Sequence, residues 1–206
     1  MPINKLLAIV FGSFLFLVVT IGCAGRPYLI VDYSLPEASK RLEGQTVQLV
    51  IKDLRQESKI FTPSAAAQFE GFKDRYSLAW IENDGTRILA GEHDLKGLFR
   101  ESFQKRLEIL GVRVTGQESS HAPVFEVILR RFKIDLSSRM WQADVSYEAT
   151  LSKDSQLIAR ESIQGTAERV KIIGRKGADT VLSDIFSDII NRTDIVKLFE
   201  QAKLIL

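Results

Sequence analysis

Three kinds of side chain could do chemistry in this 206-residue chain: a single thiol, two imidazoles and 26 carboxylates. The thiol, Cys23, stands at the end of an uncharged stretch at 6–22, LLAIVFGSFLFLVVTIG, which only one charged residue, Lys5, precedes. One cysteine forms no internal disulfide, and with two histidines it leaves too few ligands for a four-ligand structural zinc site. Its position suits processing and covalent modification instead. A short basic start, an apolar run and small residues before a cleavage point describe a secretory signal peptide. Two competing readings stand beside it. The run reaches the lower limit of the roughly 17–25 apolar residues that span a bilayer as a helix, and Cys23 could be a buried apolar side chain at a helix end.

The remaining groups form no recognisable catalytic constellation. His93 and His121 show no H-E-x-x-H or similar spacing, so solvated imidazoles are favoured over metal or acid–base roles. Asp53 and Arg55 lie two apart, on one face if a strand continues through them, as an ion pair at the start of a long loop would. No G-x-S-x-G nucleophile turn and no phosphate-cradling G-x-x-x-x-G-K occurs; Gly174-Arg175-Lys176-Gly177 reads as a basic turn into a helix. Nothing marks out two carboxylates for glycan hydrolysis. Five aromatic residues, Phe61, Phe69, Phe72, Tyr76 and Trp80, crowd one irregular region. They serve either as a cover for one end of the core or as a partner or lipid contact.

Composition narrows the setting. Lys plus Arg number 28 against 26 Asp plus Glu, for a formal charge of +2, and 45% of residues are hydrophobic. That is ordinary globular composition, excluding a disordered chain and a basic nucleic-acid-binding domain. Cleavage after Gly22 would remove Lys5 alone among the charges and leave a nearly neutral body.

The elements that must position these groups follow from periodicity. A tether at 23–45, with Pro27 and Pro36, carries one short strand at 28–33 suited to a sheet edge. Val47, Leu49 and Ile51 alternate in a first core strand at 46–53. From 54 to 91 periodicity fails, apart from a strand near 76–81; long excursions of this kind are often functional. Leu95, Leu98, Phe99, Phe103, Leu107 and Leu110 recur at helical spacing over 94–110, and Gly111 follows as a cap. A short strand at 112–115 and a longer one at 124–136 come next. Residues 141–152 alternate cleanly and 157–167 alternate again, which predicts an antiparallel three-strand meander in which Gly165 marks a bulge or a close approach. A helix over 178–190 carries an apolar stripe, with Asp179, Ser183, Asp184 and Asp188 facing away, and Thr193 is the expected N-cap of a last helix at 194–204. The expectation is an α+β fold: a mostly antiparallel sheet with a three-strand meander, packed by two to three amphipathic helices, after a cleaved signal peptide.

Val19-Thr20-Ile21-Gly22-Cys23 resembles a bacterial lipobox, with Gly22 as the small residue before the cysteine and Thr20 departing from the usual aliphatic residue. The resemblance implies cleavage between Gly22 and Cys23 and a covalent lipid on Cys23. Ala24, rather than Asp, implies the outer membrane of a Gram-negative cell with the body facing the periplasm. The domains are then a signal peptide at 1–22, a lipidated tether at 23–45 and a periplasmic domain at 46–206. Thr46–Arg55 (TVQLVIKDLR), Leu107–Val114 (LEILGVRV), the strand around Val127 and Trp141–Val145 (WQADV) resemble the YajG-type outer-membrane lipoproteins and, more distantly, the auxiliary lipoproteins of ABC-type transport systems. That likeness implies a lipid-anchored module with no known active site. The expected function is therefore non-catalytic: a binding or accessory module in envelope assembly or transport, with no cofactor beyond the lipid, no nucleic acid, and an unnamed envelope protein as partner. The alternatives are a membrane-tethered hydrolase using dispersed carboxylates and a binding protein held by a single inner-membrane span.

Overall fold

A computed structural model describes residues 27–116, 122–171 and 176–205. The expected leader at 1–22, Cys23, His121 and Gly174-Arg175 lie outside the described residues. The cleanest alternation in the sequence becomes β7 (Met140–Lys153), whose Trp141, Ala143, Val145, Tyr147, Ala149 and Leu151 are all buried. It pairs antiparallel with β6 (Val124–Ser137) and β8 (Gln156–Val170), giving the expected meander. Both hairpin tips use two residues of positive φ, Ser138-Arg139 and Asp154-Ser155, the backbone twist that two-residue hairpins favour, here achieved without glycine.

Two further strands extend this sheet in parallel. β2 (Thr46–Asp53) lies beside β6 on one side and the short β5 (Arg113–Thr115) on the other, for the order β5-β2-β6-β7-β8. A parallel neighbour needs a crossover, and the long helix α2 (Leu95–Ile109) supplies it between β2 and β5. Asp94 caps α2 by accepting from the Gly97 amide at 2.7 Å. Its apolar stripe is buried, and Phe99 meets Phe132, Tyr147 and Phe186 edge-on at 5.1–6.1 Å, the arrangement that ring quadrupoles favour.

The sheet is covered on one face. Its other face is wet and laced with the ion pairs Lys52–Glu126, Arg130–Glu148 and Arg160–Glu148. Gly165 is a point of close approach rather than a bulge: a Cβ there would lie 2.7 Å from Ile185 Cδ1 and 2.9 Å from Ile189 Cγ2, both on α3 (Lys176–Arg192).

A second, three-stranded sheet occupies much of the region where periodicity fails. β1 (Tyr28–Ser34) runs parallel to β3 (Arg75–Ile81), which forms a hairpin with the exposed β4 (Arg87–His93). β1 is an edge strand, as expected, and it is packed into the body: Leu29, Val31 and Tyr33 are fully buried. The segment behind it also folds back, since the amides of Ser39 and Leu42 donate to the Ile109 and Leu110 carbonyls at the end of α2. Before β3, Thr62 caps the one-turn helix α1 (Pro63–Ala66).

Two expectations need correction. Asp179 and Ser183 of α3 do not face away from the body; they bond to β1, while Asp184 and Asp188 remain exposed. The last helix, α4 (Ile195–Gln201), is shorter than expected and is capped by Asp194, whose carboxylate accepts from the Lys197 amide at 2.9 Å. Thr193 is unavailable as a cap because its hydroxyl is buried against Tyr147 and bonds back to the Ile189 carbonyl. Leu204 and Ile205, at the apolar end of the chain, pack against the core.

Candidate functional site

The fold brings the start of β1, residues 59–74, the β6–β7 tip and the end of β8 to one pole. The contacts that gather them are specific. The Lys73 amide donates to the Pro27 carbonyl at 3.0 Å, the Lys171 amide to the Arg139 carbonyl at 2.8 Å, and Lys171 Nζ to Gln68 Oε1 at 2.7 Å. Pro27 is the first described residue, so Cys23 lies four residues outside this pole.

The sequence-flagged aromatic residues build the same pole. Phe61 stacks on Phe69 with ring centroids 4.4 Å apart; Phe69 meets Trp141 at 5.5 Å, and Phe72 meets Tyr76 at 6.0 Å. Phe69 and Tyr76 are buried, whereas Phe61 and Phe72 are half-buried against the core. These residues thus cover one end of the core and also leave a cavity of about 340 Å³ open to solvent, floored by Ile60, Phe61 and Phe69 and rimmed by Lys59, Phe72 and Asp74. Trp80 belongs elsewhere, with Lys105 Nζ 4.8 Å above its ring.

Asp53 and Arg55 form a two-pronged pair, Nε to Oδ1 and Nη2 to Oδ2 both at 2.8 Å, and Arg55 Nη1 reaches the Ser58 carbonyl at 3.3 Å. The pair therefore clips the start of the 54–74 segment, and the Arg55 guanidinium holds the Asp53 carboxyl below the usual carboxylate range. His93 ends β4, and its Nε2 lies 2.9 Å from the Ala90 carbonyl. Among the described residues, the sequence-flagged groups are thus not brought together into a catalytic cluster.

A larger cleft of about 610 Å³ opens where β1 meets α3, lined by Asp32, Ser34, Asp179, Ser183, Asp184 and Ser187 among others. Its carboxylates are engaged: Asp32 with Arg87 at 2.9 Å, Asp179 with the Ile30 amide at 3.0 Å, and Asp184 with Arg169. Elsewhere, hydrogen bonds from Arg130, and more weakly Arg160, hold Glu148 below its ordinary pKa, and the hydroxyls of Thr62 and Ser64 do the same for Asp135. Burial pushes the phenols of Tyr33, Tyr76 and Tyr147 upward, which keeps them neutral. Among the described residues, no group of three or more His, Cys, Asp or Glu could hold a metal ion, and no helix is long and apolar enough to cross a membrane.

The polar ladder along α3 escaped sequence reasoning. Asp179, Ser183, Ser187 and Asn191 recur every fourth residue and bond to the open edge of β1. The amides of Ile30, Asp32 and Ser34 donate to Asp179, Ser183 and Ser187, each at 3.0 Å, and Asn191 donates to the Ser34 carbonyl at 2.8 Å. The four-residue spacing of short polar side chains was the available signal, and it is the signal that an exposed helix face also gives.

No family model and no curated protein matches this chain. Among solved structures it is similar to protein XCC0632 of Xanthomonas campestris, from family DUF330, at 11% identity and a TM-score of 0.51, covering 86% of this chain and 95% of that one. This likeness shows a shared fold. Looser similarities reach a neuraminyllactose-binding hemagglutinin homolog of Helicobacter pylori, at 8% identity, TM-score 0.41 and coverage of 82% and 93%. They also include lipoprotein GNA1162 of Neisseria meningitidis, at 11% identity, TM-score 0.29 and coverage of 72% and 96%.

Proposed function

We propose that this chain is a non-catalytic lipoprotein, anchored through an acylated Cys23 to the periplasmic face of a Gram-negative outer membrane, whose α+β body docks another envelope protein in assembly or transport. The observation that carries the reading is the junction of sequence and fold. A lone cysteine after a signal-like run lies five residues before a strand that enters the body at a single pole. The YajG-type resemblance of residues 46–55, 107–114 and 141–145 points the same way.

The state of the carboxylates speaks against the hydrolase alternative. A general acid needs an environment that raises its pKa, and Asp53, Glu57, Asp84, Asp135 and Glu148 are all displaced downward by hydrogen bonds. Crosslinking in intact cells, followed by purification from mildly solubilised membranes, tests the docking reading. The expected result is one protein recovered repeatedly in fixed ratio with the native chain and lost with Cys23→Ser. Repeated recovery of the chain alone, together with turnover of an envelope ester or glycan by the purified body, would overturn it.

A further inference from the structure

If Cys23 carries the anchor, the fold also fixes which way the body stands. Four residue spacings separate Cys23 from Pro27, and four extended residues reach at most about 14 Å. Pro27 is pinned to Lys73, between the aromatic segment and the start of β1. The neighbouring surface has the composition of a membrane interface. Half-buried Phe61 and Phe72 and the 60%-exposed Val170 sit among Lys59, Lys73, Arg139 and Lys171, with Glu70, Asp74 and the Asp135 carboxylate held by Thr62 and Ser64 as the acidic residues between them. Aromatic side chains and long basic ones settle at the headgroup level, where their apolar parts face the acyl region and their charges meet anionic headgroups. The half-open cavity floored by Phe61 and Phe69 lies on this same surface.

We propose that this pole, formed by residues 59–74, the Ser138-Arg139 tip and Val170-Lys171, is the face that rests on the phospholipid surface, so that the long meander stands upright and carries the Asp154-Ser155 tip into the periplasm. The proposal rests on the lipid-anchor reading. The fourteen residues of β7 set the contrast between the two ends: at about 3.3 Å per residue they place the tips some 43 Å apart.

Two exposed strand-end positions report on the two tips, Ser137 at the membrane pole and Gln156 at the far one. The mature lipoprotein carrying Ser137→Cys or Gln156→Cys is labelled with a donor fluorophore, the acylated Cys23 thiol being blocked. It is then reconstituted into phosphatidylcholine vesicles containing about a third phosphatidylglycerol and a headgroup acceptor. The expected result is several-fold stronger energy transfer from position 137 than from 156. Combined Lys59→Glu, Lys73→Glu and Arg139→Glu changes, all at exposed positions, lower the transfer from 137 on these vesicles and leave it unchanged on pure phosphatidylcholine. Equal transfer from both positions of an acylated protein overturns the orientation while the anchor stands; an unmodified amino terminus by intact mass overturns both. Transfer from 137 that ignores the three charge reversals overturns the basic contact.

Discussion

Replacing Ser183 with alanine tests whether a helix can finish the edge of a sheet. Four helical residues advance about 6.0 Å, and two strand residues about 6.6 Å. Asp179, Ser183 and Ser187 therefore keep step with the amides of Ile30, Asp32 and Ser34 over two repeats, accumulating a mismatch of only about 1.2 Å. In Ser183→Ala the half-buried Asp32 amide loses its acceptor. A hydrogen bond is worth about 0.5–1.5 kcal/mol net, and a buried donor left unpaired costs about 1–3 kcal/mol. Alanine is the better helix former by up to about 0.7 kcal/mol, so the net loss of stability is about 1 kcal/mol. Hydrogen exchange resolves the local effect from the global one. Amides at positions 30–34 should exchange roughly five- to thirty-fold faster, the factor that corresponds to 1–2 kcal/mol, while β7 amides that open only by global unfolding change by no more than the roughly five-fold set by the net loss. Asp184→Ala, which removes only the exposed pair with Arg169, serves as control and should move stability by less than about 0.5 kcal/mol. Unchanged protection at Ile30, Asp32 and Ser34 in Ser183→Ala would refute the ladder.

Asp53→Asn should remove a pH-dependent increment on the order of 1 kcal/mol, discounted because the pair is partly exposed. The native carboxyl titrates below the unfolded value, so its stabilisation is present above that value and fades as pH falls through the folded one. Urea midpoints of the two proteins should thus differ at pH 6 and converge toward pH 2. Gly165→Val should destabilise by about 1–3 kcal/mol through collision with Ile185 and Ile189, read by thermal melting, and Ile185→Val should relieve part of it. Tyr147→Phe strips the Ile189 carbonyl of a buried donor at 2.7 Å and should cost about 1–2 kcal/mol in chemical denaturation.

Where burial is one-sided, the sequence shows its fold openly. Residues 141–152 alternate because one face of β7 packs under helices and the other is wet, and the stripe from Leu95 to Leu107 is helical for the same reason. β4 was illegible because an exposed edge strand needs no alternation: Ile88 and Leu89 are both exposed, and Gly91 takes φ +101° next to a register shift. The role of Asp179 and Ser183 was hidden since hydrogen-bonding to a strand edge and hydrogen-bonding to water demand the same residue types. Of the candidate site, the aromatic residues were visible as a cluster in sequence. Their gathering with Pro27, Arg139 and Lys171 at one pole depends on long-range pairing that local pattern does not encode.

Mass spectrometry of the membrane-extracted protein, native and Cys23→Ser, bears most directly on the anchor from which both the function and the orientation follow. The expected result is a mature amino terminus at Cys23 carrying acyl chains in the native protein, and loss of that species in Cys23→Ser. An intact Met1 terminus without modification, in protein that remains in the membrane, would contradict it and leave residues 6–22 as a spanning anchor.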